Sequence, residues 1–203
     1  MASEPLVQGT VDWSGENPGM YLKESPDGPY VTLLSFFRVV LSPHGRGIAL
    51  LLLQSPQVEK PPASAPNLCI TDNEKLARYL VDDFAVHFAA FKGQPGLRGL
   101  EYRKLTASVA SGDPRTSYSE TLRADGLDVR LTWEGLGEPF ALVMPPEKMA
   151  TGRHVMLSLH VGAERGVATV NGRVLPGKAM PREVAGRKIT TAFLAFSETW
   201  IRV

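Results

Sequence analysis

The sequence holds a single cysteine, Cys69, in 203 residues, which excludes an internal disulfide framework and a Cys-rich zinc site. It has no charge excess either. Its 22 basic and 21 acidic residues leave a formal charge of +1 and are interspersed, without a basic run or an acidic tail, so neither nucleic acid nor an anionic membrane is an expected partner. The longest apolar run, Ile48 to Leu53, is far short of the ~20 residues a membrane helix needs. Met1 to Thr10 lacks a basic segment followed by an apolar one, so no secretory signal is read and a cytoplasmic, reduced setting is expected. GxGxxG, Walker, GxSxG, HExxH and CxxC patterns are all missing, so no cofactor and no metal is expected.

What remains is strand-rich. Met1 to Pro29 mixes short apolar stretches with Gly, Pro, Asn and Asp and reads as an irregular segment with one or two short strands. Tyr30 to Leu41 and Ile48 to Gln54 flank a Gly-containing turn and read as strand, turn, strand. The second has no polar face and is expected to be covered on both sides. Residues 55–66, with four prolines, form an extended connection. One helix is predicted over 72–92. Thr71 and Glu74 have capping-box spacing, Leu76, Leu80, Phe84, His87, Phe88 and Phe91 recur at helical spacing, and Gly93 supplies a stop. Strands follow near 100–110, 115–124, 127–134, 139–144, 153–162, 167–170, 173–175 and 189–202. The expected fold is a single mainly β (α+β) domain over 1–203. An antiparallel β-barrel or strongly curved sheet packs against one long amphipathic helix.

One hairpin can be registered from sequence. Asp125-Gly126 favours a two-residue type I′ turn, which pairs Ala124 with Leu127, Leu122 with Val129, Glu120 with Leu131 and Tyr118 with Trp133. Alternate residues share a face, so Glu120 lies among Tyr118, Leu122, Val129, Leu131 and Trp133. A buried, unpartnered carboxylate costs several kcal/mol and is driven to pair, to protonate or to line a wet cavity. Protonation would make Glu120 an acid or base near neutral pH; pairing with Arg38, or reaching water at the sheet edge, would make it structural. Glu198 repeats the pattern, with Leu194, Phe196 and Trp200 on its expected face and a second Ser-Glu-Thr triplet around it. Two carboxylates in one cavity would divide the acid and base roles.

His154, Met156, Ser158 and His160 alternate along one strand face. At ~3.4 Å per residue the two imidazoles begin about 20 Å apart, so they cannot share a metal with ligands ~2 Å from the ion. At most one is expected to reach the Glu120 cavity. His87 lies on the helix stripe and is read as a core histidine or a proton-transfer group. Arg38, in a strand suited to burial, would anchor an anionic group or neutralise a glutamate. Cys69, between Leu68 and Ile70, reads as a packed, inert thiol.

The strand-rich pattern resembles lipocalin-type barrels in general architecture, which implies an internal cavity for an apolar ligand. The resemblance covers topology class only. That family's Gly-x-Trp is not matched, because Gly9 and Trp13 are four apart, and the helix comes early in the chain.

The expected function is binding of a small, largely apolar organic molecule in an internal cavity, with cofactor-independent proton-transfer chemistry of isomerase, lyase, hydratase or cyclase type. Glu120, Glu198, His154 and His160 are the catalytic candidates. Tyr118, Trp133, Phe196, Trp200, His87 and Arg38 are the binding ones. The alternatives are a non-catalytic carrier or sensor of an apolar ligand, and an interaction domain, for instance a homodimer packed on the face around Trp133.

Overall fold

The computed structural model describes residues 7–203; the first six residues of the expected irregular N-terminal segment, over which no secretory signal was read, lie outside them. The chain is mostly β, a closed nine-strand mixed barrel with one short helix. Its strands are β1 (Thr10–Glu16), β2 (Gly19–Lys23), β3 (Tyr30–Leu41), β4 (Gly47–Leu53), β5 (Asn67–Thr71), β6 (Glu101–Asp113), β7 (Ser117–Ala124) and β8 (Leu127–Leu136). β9 (Phe140–Met144), β10 (His154–Val170), β11 (Arg173–Val174), β12 (Lys178–Ala179), β13 (Pro181–Val184), β14 (Arg187–Thr190) and β15 (Ala192–Arg202) follow. The helix α1 is Glu74–Asp83. The barrel runs β10, β8, β7, β6, β5, β4, β3, β1, β15 and closes by pairing β15 with β10.

Three features depart from the expected fold. First, the barrel is mixed: β5 and β6 pair in parallel, because α1 and the turns after it carry the chain back to the same end, as a parallel pair requires. Second, the helix is short. Asn73, not Thr71, is the N-cap, its Oδ1 accepting from the Leu76 amide at 3.2 Å, while Thr71 is the last residue of β5 and Glu74 pairs with Arg78. The helix ends at Phe84, with φ −129°, whose ring is seated edge-on against Trp13, Tyr79 and Trp200. A single 3₁₀ turn at Ala85–His87 follows, so the apolar stripe from His87 to Phe91 belongs to turns rather than to helix. Third, β10 runs unbroken where two strands were expected. Its first half pairs with β9 and β15 and its second with β8.

The 124/127 hairpin has the expected register throughout, including Glu120 opposite Leu131 and Tyr118 opposite Trp133. Of its two turn residues only Gly126 has positive φ, at 68°, so the turn is not type I′. The Asn171-Gly172 turn, with both residues left-handed, has that conformation.

Strand alternation divides the core in two. Leu34, Phe36, Leu50, Leu52, Leu68, Ile70, Leu122, Leu131, Trp133 and Leu194 point inward and fill the barrel. Leu33, Phe37, Leu51, Leu53 and Cys69 point outward and are covered by Leu76, Ala77, Leu80 and Phe84. β4 is thus buried on both sides, as its unbroken apolar run implies. β1 and β2 occupy one gap between β3 and β15, interrupted at Asn17-Pro18. Proline has no amide to donate, and the break turns the Asn17 side chain toward Ser35 and Glu198. Among the described residues, no helix is long and apolar enough to cross a membrane.

Candidate functional site

The expected cavity lies in the barrel interior around Glu120; the structure places packed side chains there and opens a cleft on the outer face instead. The register of β15 explains the difference. Leu159 pairs with Ser197 but His160 pairs with Ala195, so Phe196 is an extra residue in a β-bulge, and a bulge re-aims the side chains that follow it. Leu194 and Phe196 remain with the barrel interior, whereas Glu198 and Trp200 move to the outer face. The expected face shared by Phe196, Glu198 and Trp200 is therefore corrected, and the two glutamates occupy separate surroundings.

Glu120 is fully buried. Its Oε1 accepts from Arg38 Nη2 at 2.8 Å and from the Tyr118 hydroxyl at 2.6 Å, and Arg38 also pairs with Glu16. Burial opposes the Arg38 charge, but the hydrogen bond and charge of Glu120 raise its pKa. Tyr118 is raised by burial and then by Glu120. Phe196 stands edge-on to Tyr118 at 5.3 Å, and Trp133 donates its indole N–H to the Gly19 carbonyl at 3.1 Å. This is an ion-paired plug in the barrel, the arrangement in which Arg38 neutralises a glutamate. Trp133, fully buried inside, presents no face to a second subunit.

His154 is also apart. Its Nε2 lies 2.8 Å from Asp12 Oδ2 and its Nδ1 2.8 Å from Thr151 Oγ1, and Asp12 also pairs with Arg202. The register of β1 slips at Asp12, which aims this carboxylate at the imidazole. The network ties together β1, β10 and β15.

The cleft lies over β2, β9, β10 and β15. It is covered by the chain after α1 (His87 to Ala90), by Lys148 to Ala150 and by the β13–β14 hairpin, and it encloses about 700 Å³, within the range of small-molecule sites. Its wall is Phe88, Met144, Met149, Met156, Met180, Phe193 and Trp200. Thioethers are adaptable surfaces for apolar ligands. Of the sequence candidates, Glu198, His160, His87 and Trp200 meet here.

Glu198 lines this cleft. Its Oε1 accepts from the Trp200 indole N–H at 2.7 Å and from Asn17 Nδ2 at 3.1 Å, and Asn17 is held in turn by the Ser35 hydroxyl at 2.6 Å. Burial pushes its carboxyl up to about 7, against the opposing effect of those two donors. His160 stacks on Phe193 at 4.8 Å, and its Nε2 is buried without a hydrogen-bond partner among the described residues. Burial, and then the charge of Arg182, lower its pKa to about 4, so it is neutral in ordinary solution. Gly19 makes this stack possible: a Cβ there would sit 2.6 Å from the Phe193 ring.

Residues absent from the sequence reading complete the site. Tyr21 and Tyr30 come from β2 and β3, and Arg182 comes from β13. The Arg182 guanidinium lies 4.5 Å from the Phe193 ring centroid and 5.9 Å from that of Tyr21. These residues lie in or beside the irregular N-terminal and 176–188 stretches, where no periodicity marks a face. Among the described residues no group of three or more His, Cys, Asp or Glu side chains could hold a metal ion. Cys69 is buried and its thiol is pushed up to about 12, by burial first, so it is inert. No protein-family model, curated protein or solved structure matches the chain.

Proposed function

We propose that the protein binds a small, largely apolar organic molecule in the outer cleft and that Glu198 is the group that exchanges a proton with it. The observation that carries this reading is a carboxyl at an apolar cleft whose one oxygen is fixed by Trp200 and Asn17 and which no cation neutralises among the described residues. With its carboxyl pushed by burial up to about 7, such a group serves as acid or base without a cofactor. His160, uncharged and stacked, would orient ligand by hydrogen bonding rather than share the proton. Cofactor-independent isomerase or lyase chemistry is the reaction class this arrangement suits.

Native mass spectrometry of the freshly purified protein, beside an Ala150→Trp variant that fills the cleft mouth, tests the binding step. The expected result is a co-purified small molecule lost from the variant. Incubating that molecule with the protein in D₂O tests the chemistry: deuterium enters it with the wild type and not with Glu198→Gln. A ligand retained at full occupancy by Ala150→Trp would contradict the site, and exchange undiminished in Glu198→Gln would contradict the role.

A further inference from the structure

Arg182 is a cation in search of an anion. Its Nε is buried without a hydrogen-bond partner, and no carboxylate pairs with it among the described residues. Its contacts are the faces of Phe193 and Tyr21, which hold the guanidinium in place but leave its donors free. A half-buried guanidinium without a counter-ion bears a desolvation cost that an incoming anion offsets. Lys23, which also lines the cleft and donates to the Pro26 carbonyl at 3.0 Å, adds positive charge beside Tyr21 and Tyr30. The remainder of the lining is methionine and aromatic.

We propose that the cleft takes an anionic amphiphile, with a carboxylate-type head group on Arg182 and an apolar body along Met144, Met149, Met156 and Trp200. This rests on the reading that the cleft is a small-molecule site, and it sets the ligand's direction within it. Arg182 belongs to β13, which pairs only with β14 in a separate two-stranded sheet. Isolated two-stranded hairpins are marginally stable, so an anion on Arg182 would fasten this flap over its own site.

Dodecanoate and dodecanol are matched probes, one with a charged head and one without. Their dissociation constants are measured by Trp fluorescence at about pH 8, where a fatty carboxyl is ionised, with wild type, Arg182→Gln, Arg182→Lys, Ala150→Trp and the exposed control Arg115→Gln. The expected result is that wild type and Arg115→Gln prefer dodecanoate by at least about tenfold. Arg182→Gln loses the preference by weakening dodecanoate alone, and Arg182→Lys retains part of it. Equal affinity of the wild type for both probes, or a preference that survives Arg182→Gln, overturns the head-group assignment while leaving the cleft as a binding site. Failure of both probes to bind, or binding unaffected by Ala150→Trp, overturns the cleft reading itself.

Discussion

Burial drives Glu198 and His160 in opposite directions from within one cleft. Glu198 is raised from 4.5 to about 7, so the folded protein holds that proton more tightly than the unfolded chain. Its contribution to stability is full below about pH 4.5 and is lost as the pH rises toward 7. His160 is lowered from 6.5 to about 4. Its contribution is present above about pH 6.5 and is lost as the pH falls toward 4. The two slopes oppose across one window and largely cancel in the wild type. Each is at most about 3 kcal/mol across the window. Urea denaturation over a pH series should show His160→Gln losing stability relative to wild type as the pH rises from about 4.5 to 7. Glu198→Gln should gain over the same interval. Variants whose curves both run parallel to the wild type would contradict these environments. At this scale the sequence pointed to Glu198 through its apolar neighbours, but it assigned the wrong face, because nothing in Ala195-Phe196-Ser197 announces a bulge. Arg182 and Tyr21 carried no signal, since their roles come from packing against Phe193 rather than from local pattern.

Among the elements, α1 shows how a cap is chosen by tertiary structure. Thr71 and Glu74 have capping-box spacing, yet Thr71 is held in β5, where its hydroxyl donates to the Ile48 carbonyl at 2.7 Å and accepts from the Asn73 amide at 3.0 Å. Asn73 caps instead, and its Nδ2 donates to the carbonyls of His44 at 2.9 Å and Arg46 at 3.1 Å. One side chain therefore starts the helix and fastens it to the β3–β4 turn. Asn73→Ala should cost about 2 kcal/mol. Glu74→Ala should cost no more than about 0.5 kcal/mol, because its partner Arg78 is exposed. Chemical denaturation of the two variants checks this, and a larger loss in Glu74→Ala would restore the capping box. The strands were more legible than the helix. The β7–β8 register follows from Asp125-Gly126 and the doubly buried β4 from its unbroken apolar run, both local properties. The helix end depends on where Phe84 finds Trp13 and Trp200, which are distant in sequence.

For the whole molecule, a barrel or strongly curved sheet was readable from the density of strands and turns, but its closure, its mixed pairing and the location of the proposed site were not. A barrel of this size can fill its interior with side chains, and here Trp133, Phe36 and their neighbours do so, with Glu120 neutralised by Arg38 inside. The outer face, where the chain after α1, β9 and the β13–β14 hairpin leave a gap, is where we propose that a ligand binds. The methionines report on both places. Met20 is fully buried in the barrel interior, while Met144, Met149, Met156 and Met180 line the cleft. A titration of ¹³C-methyl-methionine protein with dodecanoate, followed by NMR, separates the two directly. Shifts at the four cleft methyls with Met20 unmoved are the predicted result, and a shift at Met20 with the cleft methyls unchanged would contradict the account.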